Sequence, residues 1–195
     1  GPALLTPDEA AACVADDDVV TVVEEAVEGR RRRGNPTPHP PTPTLLSGFV
    51  GCGHPEALTL ALRRHFDTSG TPRRIHLLLV AAVGDGKGRG AGALAAPGLV
   101  ARLTYAWIGL CPELGALIEG GSLTAAHNLP LGVVSHMLRD IAARRPGPVT
   151  AVGLGTFVDP AHGGGKRAGR EEVVTRVRVG GEDALHYRPP PRVDV

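Results

Sequence analysis

The sequence predicts an α/β fold: an open, mostly parallel sheet flanked by helices, with a C-terminal β-hairpin. Three observations lead to it. Ile75–Val83 (IHLLLVAAV) is an apolar run of the kind that strands covered on both faces display. Between residues 55 and 145, helix-period stretches alternate with short apolar runs, the order expected of a layered α/β domain. Finally, EVVTRVRVGGEDALHY alternates around Gly180–Gly181, the pattern of a hairpin.

Each element follows from local chemistry. Thr6 can cap a helix, Pro7 suits its first turn, and Glu9 stands where a capping box places its acid. Asp17–Val23 reads as a buried strand. The segment 24–46 contains the Arg30–Arg33 run and a proline cluster, and is predicted to be a disordered or polyproline-like insertion without sheet or helix bonds. A nucleic-acid patch or docking peptide is the functional alternative there; a solvated insertion is the plain one. Helix Pro55–Phe66 places Leu58, Leu62 and Phe66 on one face, and TSGTPRR breaks it before the strand at Ile75–Val83. GLVARLTYAWIG carries the next strand, and PELGALIEGG a short helix stopped by Gly120–Gly121. LTAAHNLP is a short strand running into a turn at Asn128–Pro130. Helix Gly132–Arg145 has Val134, Met137, Leu138 and Ile141 at helical spacing and ends before Pro146–Gly147. VTAVGLGTFVDP reads as a strand and AHGGGKRAGRE as an exposed loop. No internal repeat is present.

Bulk composition narrows the function. With 195 residues and 42% hydrophobic residues the chain can build one domain's core, or part of a larger one. Only 3% of residues are aromatic, so that core is Leu, Val and Ala. A net charge of +1 gives no general case for nucleic acid or membrane, and no apolar run reaches membrane-span length. Cys13, Cys52 and Cys111 lack CxxC spacing, against a disulfide framework or a zinc site. The expectation is an intracellular protein: cytoplasmic, or mitochondrial if a transit peptide preceded Gly1.

Two glycine-rich loops follow predicted strands: Gly48–Pro55 (GFVGCGHP) and Gly84–Gly90 (GDGKGRG). In open α/β sheets such loops gather at the carboxyl ends of strands, where ligands bind. Their bare backbone admits a close carbonyl or carboxylate oxygen, and a helix starting at Pro55 adds a positive dipole end. On spacing alone Gly48, Gly51 and Gly53 give G-x-x-G-x-G, a poor dinucleotide fingerprint, and GDGKGRG is not a Walker A loop. Ligand-free tight turns fit that spacing equally well. His54 reads as a base or, more plainly, as a capping or packing histidine. Asp85 and Lys87 can form a charge pair on the turn. His127 and His136 have no partner at metal-ligand spacing, so no metal is expected. Cys52 sits at a helix N-terminus, but no His–Asp arrangement supports it as a nucleophile.

The motifs taken in order resemble the class I coenzyme A transferases, whose signature G-F-x-x-x-G-x-P is filled by Gly48, Phe49, Gly53 and Pro55. GDGKGRG, HNLPLGVVSHMLRDIAARRPG and VGLGTFVDP…GGK follow in the order of the acyl-CoA:acetate/3-ketoacid branch, which includes propionate CoA-transferases. The resemblance covers most of the chain outside 24–46 and identifies it with the N-terminal, alpha-type part. It implies an incomplete alpha domain and a ping-pong transfer of coenzyme A between short-chain acids through a glutamyl-CoA thioester. It also implies that no cofactor is tightly bound, coenzyme A thioester being a substrate. The partners are acyl-CoA, a carboxylic acid and a C-terminal or beta-type half, in a homo- or hetero-oligomer when complete.

The implied acid-binding residues are Gly48, Phe49, Gly51, Gly53, His54, Pro55, Gly84, Asp85, Gly86, Lys87, Gly88, Asn128 and Gly132. No catalytic residue is assigned, because the family's glutamate belongs to the other half and Glu119 in IEGGSL is not in its motif. Leu131 stands where the family usually carries a glutamine that can serve an oxyanion hole, a donor worth about 2.7–4 kcal/mol. The alternatives are a non-catalytic alpha-type subunit or degenerate fragment and, further off, a dinucleotide-binding domain.

Overall fold

The computed structural model describes residues 6–11, 43–46 and 48–190. Its larger sheet has the order β1-β2-β3-β4-β6, built from Pro43–Leu46, Ile75–Leu79, Val100–Tyr105, Ala125–Asn128 and Lys166–Ala168. The first four strands are parallel and β6 pairs antiparallel with β4. A second, antiparallel sheet has the order β5-β8-β7, from Val149–Thr150, Glu182–Tyr187 and Val174–Val179. The helices are α1 (Pro7–Ala11), α2 (Glu56–Ser69), α3 (Pro112–Glu119) and α4 (Leu131–Ala142).

Every residue of β2 is buried, as its apolar run requires. One face of the sheet presents Ile75, Leu77, Leu79 and Leu103 to Ala61 and Leu62 of α2 and to Leu114 and Leu117 of α3. The opposite face offers Leu78 to Val133, Val134 and Met137 of α4 and to Val174, Leu185 and Tyr187 of the small sheet. The predicted fold class, hairpin included, is therefore the observed one. The capping box also forms: Thr6 N–H donates to Glu9 Oε2 at 2.8 Å and Glu9 N–H to Thr6 Oγ1 at 3.3 Å.

Several boundaries differ from expectation. Pro43–Leu46, the end of the segment predicted to lack sheet bonds, is strand β1, the outermost of the described strands, and Pro43 stands at its first residue, where proline is tolerated. The rest of that segment, the strand predicted at Asp17–Val23, and Cys13 lie outside the described residues. Helix α2 runs on to Ser69, where Gly70 closes it in the left-handed conformation (φ 74°). Strand β2 stops at Leu79, before the predicted Val83. The strand predicted within VTAVGLGTFVDP is reduced to Val149–Thr150.

Within the predicted exposed loop AHGGGKRAGRE lies β6, too short to show a period. Its neighbouring glycines allow it to pair. A Cβ on Gly165 would lie 2.5 Å from the Asn128 carbonyl, and one on Gly169 2.4 Å from that of Thr124.

The α4-facing side of the sheet is not wholly apolar. His76 of β2 and Thr104 of β3 are buried and hydrogen-bonded at 2.9 Å, and buried His127 of β4 donates to the Glu171 carbonyl at 3.0 Å. Arg102 pairs with Glu171 beside them. Burial, then the Arg102 and His127 charges, push His76 down to about 3, and burial lowers His127 as well. A histidine depressed in the native state keeps its full stabilising contribution above its unfolded value near 6.5 and loses it as pH falls below that. His76 alone should cost about 2 kcal/mol by roughly pH 5. Acid unfolding followed by circular dichroism should show this. His76→Gln keeps a partner for Thr104 but gains no proton, so its unfolding midpoint should move to lower pH; an unchanged midpoint counts against the assignment.

Candidate active site

Four parallel strands deliver four loops to one edge of the sheet. The loops after β1 and β2 are knitted together by main-chain bonds: Val50 N–H donates to the Ala82 carbonyl and Gly84 N–H to the Val50 carbonyl, both at 2.8 Å. Phe49 and Cys52 close a tight turn, each N–H donating to the other's carbonyl at 2.9 and 3.0 Å. Val50 has φ 58°, a left-handed conformation that a β-branched side chain resists. Local strain is thus held in place at the tip of the first loop.

Between the two loops lies a cleft of about 410 Å³, lined by Val50, Gly51, His54, Glu56, Leu60, Gly84, Asp85, Arg89 and Gly90. Its glycines have different duties. A Cβ on Gly84 would meet the Leu110 carbonyl at 2.5 Å, and one on Gly90 (φ 67°) the Val83 carbonyl at the same distance. Those two are packing glycines. Gly51 and Gly53 have open space around them, and among the described residues no hydrogen bond takes either N–H.

Most amides of the second loop are already engaged. Asp85 Oδ1 accepts the N–H groups of Lys87 at 2.8 Å and Arg89 at 3.2 Å, while Glu56 Oε2 accepts Gly90 N–H at 3.1 Å. The Lys87 amide chiefly, with Arg89 behind it, holds Asp85 below the usual carboxylate range. Asp85 therefore shapes the loop. His54 packs beneath the first turn of α2, with Nε2 2.8 Å from Thr59 Oγ1 and 3.6 Å from Glu56 Oε2. The residue also borders the cleft. Phe49 is exposed on its turn, and Cys52 is exposed ahead of α2.

A second cleft of about 400 Å³ opens beyond β3 and β4, lined by Tyr105, Trp107, Ile108, Gly109, Gly115, Ile118, Glu119, Asn128, Phe157 and Arg167. Asn128 ends β4 and its Nδ2 donates to the Ala106 carbonyl at 2.8 Å and the Tyr105 carbonyl at 3.3 Å, fixing the loop after β3. The loops after β2 and β3 are joined where Gly86 N–H donates to the Leu110 carbonyl at 2.9 Å. Burial raises the Tyr105 hydroxyl above its ordinary value, and the nearby Arg167 guanidinium partly offsets this.

The sequence-predicted residues are thus divided. Gly51, His54, Gly84 and Asp85 line the first cleft, Asn128 the second. Gly132 lies in the first turn of α4 and borders neither; Leu131 beside it is 48% exposed. Sequence reasoning missed Tyr105, Trp107, Phe157 and Arg167. They come from three separate segments, and only the pairing of β3, β4 and β6 assembles them. Their one available signal was the scarcity of aromatic residues.

Residues 44–195 match the family model for coenzyme A transferases, and the chain belongs to that family. It is 37% identical over 145 residues to a caffeate CoA-transferase from Acetobacterium woodii, covering 73% of this chain and 28% of that protein. It is 34% identical over 153 residues to the acetate CoA-transferase YdiF of Escherichia coli K12, covering 76% and 29%. The crystal structure of the YdiF apoenzyme from Escherichia coli O157:H7 superposes with a TM-score of 0.81 at 26% identity, over 96% of this chain and 32% of that one. A thioester complex of that enzyme with CoA also gives 0.81 at 26% identity, over 95% and 32%. The chain therefore spans less than a third of the relatives it matches.

The glycine assignments make a direct test. Gly90→Ala should lower stability by about 1–3 kcal/mol, because its Cβ runs into backbone in a left-handed conformation. Gly51→Ala, with open space around it, should stay within about 0.5 kcal/mol of the parent. Urea unfolding of the two variants compares them, and equal losses would contradict the division of roles.

Proposed function

We propose that the chain supplies the alpha-type part of an enzyme moving coenzyme A between a short-chain acyl-CoA and a carboxylic or 3-keto acid. The observation that carries this reading is the single cleft formed by the two interlocked glycine loops and lined by Gly51, whose N–H makes no hydrogen bond among the described residues. Family membership and the caffeate- and acetate-specific names of the relatives support the transfer of CoA.

The chemistry is carboxylate nucleophilic catalysis in two halves. A glutamate from the beta-type half attacks the thioester carbonyl, giving a mixed anhydride and releasing CoA as thiolate. The thiolate attacks the glutamyl carbonyl, forming glutamyl-CoA and freeing the first acid. The second acid then repeats the sequence in reverse and leaves as its CoA thioester. This chain's share is to hold the acid and to offer amides to developing negative charge. Residues 1–195 form one alpha-type domain in this reading, with the stretch from 24 up to β1 an insertion in it, and the complete protein is an oligomer.

Leu131 is the position at which the reading is weakest in donors, since its side chain has no N–H. A non-catalytic alpha-type subunit is the second reading, favoured by that residue and by the engaged amides of Lys87, Arg89 and Gly90.

Incubated alone with acetyl-CoA and propionate, the purified chain should exchange nothing. With a beta-type half it should co-purify and exchange, and borohydride added with acyl-CoA should inactivate the complex by reducing the glutamyl thioester. Turnover by the isolated chain overturns the division of labour. A stable but inert complex supports the non-catalytic reading instead.

A further inference from the structure

The chain has six aromatic residues, and three of them, Tyr105, Trp107 and Phe157, line the second cleft together with Arg167. Trp107 and Phe157 are 55% and 54% exposed. Large aromatic side chains left in water at a concave surface need a reason when the rest of the protein is nearly without them.

Both are held on rigid backbone. The Trp107 indole lies against Gly109, where an added Cβ would come within 2.4 Å of the ring. Asn128 anchors the carbonyl of Ala106, the preceding residue. Phe157 sits in a loop organised by buried Asp159, which takes Arg176 Nε at 2.8 Å and Nη2 at 2.6 Å and also accepts Gly155 N–H at 2.8 Å and Ala161 N–H at 3.1 Å. Phe157's own carbonyl accepts Gly165 N–H at 2.9 Å. Side chains pre-positioned in this way bind a flat partner at low ordering cost. Arg167, which lines the same cleft as Tyr105, supplies the cation that a carboxylate needs.

We propose that the cleft of Tyr105, Trp107, Phe157 and Arg167 is a subsite for aryl-substituted monocarboxylic acids, the ring meeting Trp107 and Phe157 and the carboxylate meeting Arg167. The inference rests on the CoA-transfer reading and names the acid class within it. Glu119 also lines the cleft and disfavours a second negative charge, so dicarboxylates are selected against.

Trp107 is the only tryptophan in the chain, so its emission reports directly on this cleft. Excited at the red edge of indole absorption and titrated with 3-phenylpropanoate, the chain should give a saturable emission change. Acetate at equal ionic strength should give none, and phenylsuccinate should bind more weakly. Arg167→Gln, at an exposed position, should raise the dissociation constant by about tenfold or more. Phe157→Ala should weaken binding and leave the acetate response at zero.

No response to 3-phenylpropanoate, or an equal response to acetate or to the neutral 3-phenylpropan-1-ol, overturns the proposal. The test is separable from that of CoA transfer. Exchange with a beta-type half but no Trp107 response refutes the aryl subsite alone. A Trp107 response without exchange leaves the subsite standing and refutes the transferase reading.

Discussion

The carboxyl edge of the sheet depends on Val50 lying between Ala82 and Gly84. Its N–H and its carbonyl are both consumed by the neighbouring loop, which extends the β1–β2 pairing beyond the strands themselves. To make those two bonds Val50 adopts φ 58°, costing on the order of 1–3 kcal/mol that the surrounding contacts must offset. The consequence is a fixed distance between two loops that would otherwise be independent. A cleft between them can then present backbone donors without a reorganisation cost when a guest arrives. Gly84 and Gly90 belong to the same constraint, because a side chain at either would push the second loop off the Leu110 or the Val83 carbonyl.

The two faces of the sheet solve different problems. Against α2 and α3 the packing is aliphatic, and its many buried leucines and valines supply a driving force without direction. Against α4 a polar layer, His76, Thr104, His127 and Arg102 with Glu171, crosses three adjacent strands. Hydrogen bonds at fixed positions resist slipping of one strand past another in a way that leucines do not. The layer has a cost: a histidine held neutral by burial makes the fold sensitive to acid.

Much of the fold was legible because its signals are local. The apolar run of β2, the heptad-like spacing of α4, the capping box of α1 and the Gly180–Gly181 turn each state their structure within a few residues. The failures share a cause. Strand β1 was hidden by the prolines before it, and its pairing with β2 is a long-range event. Strand β6 has three residues, too few for any periodicity, and exists because Gly165 and Gly169 let backbones meet. Half of the site was legible for the same reason: glycines in sequence announce close backbone approach. What they approach was not: the Lys87, Arg89 and Gly90 amides go to Asp85 and Glu56, and those of Gly84 and Gly86 to the Val50 and Leu110 carbonyls. The aromatic cleft was invisible because its residues lie at 105–109, 115–119, 128, 157 and 167.

The loops after β2 and β3 are tied together by two contacts. Gly86 donates to the Leu110 carbonyl, and the buried Cys111 thiol donates to the Val83 carbonyl at 3.2 Å. Burial pushes that thiol up to about 11, so it stays a neutral donor rather than a nucleophile. These two contacts tie the loop after β3, which bears Trp107, to the loop after β2, which bears Gly84, so the loop that shapes the first cleft and the loop that lines the second are positioned by the same backbone.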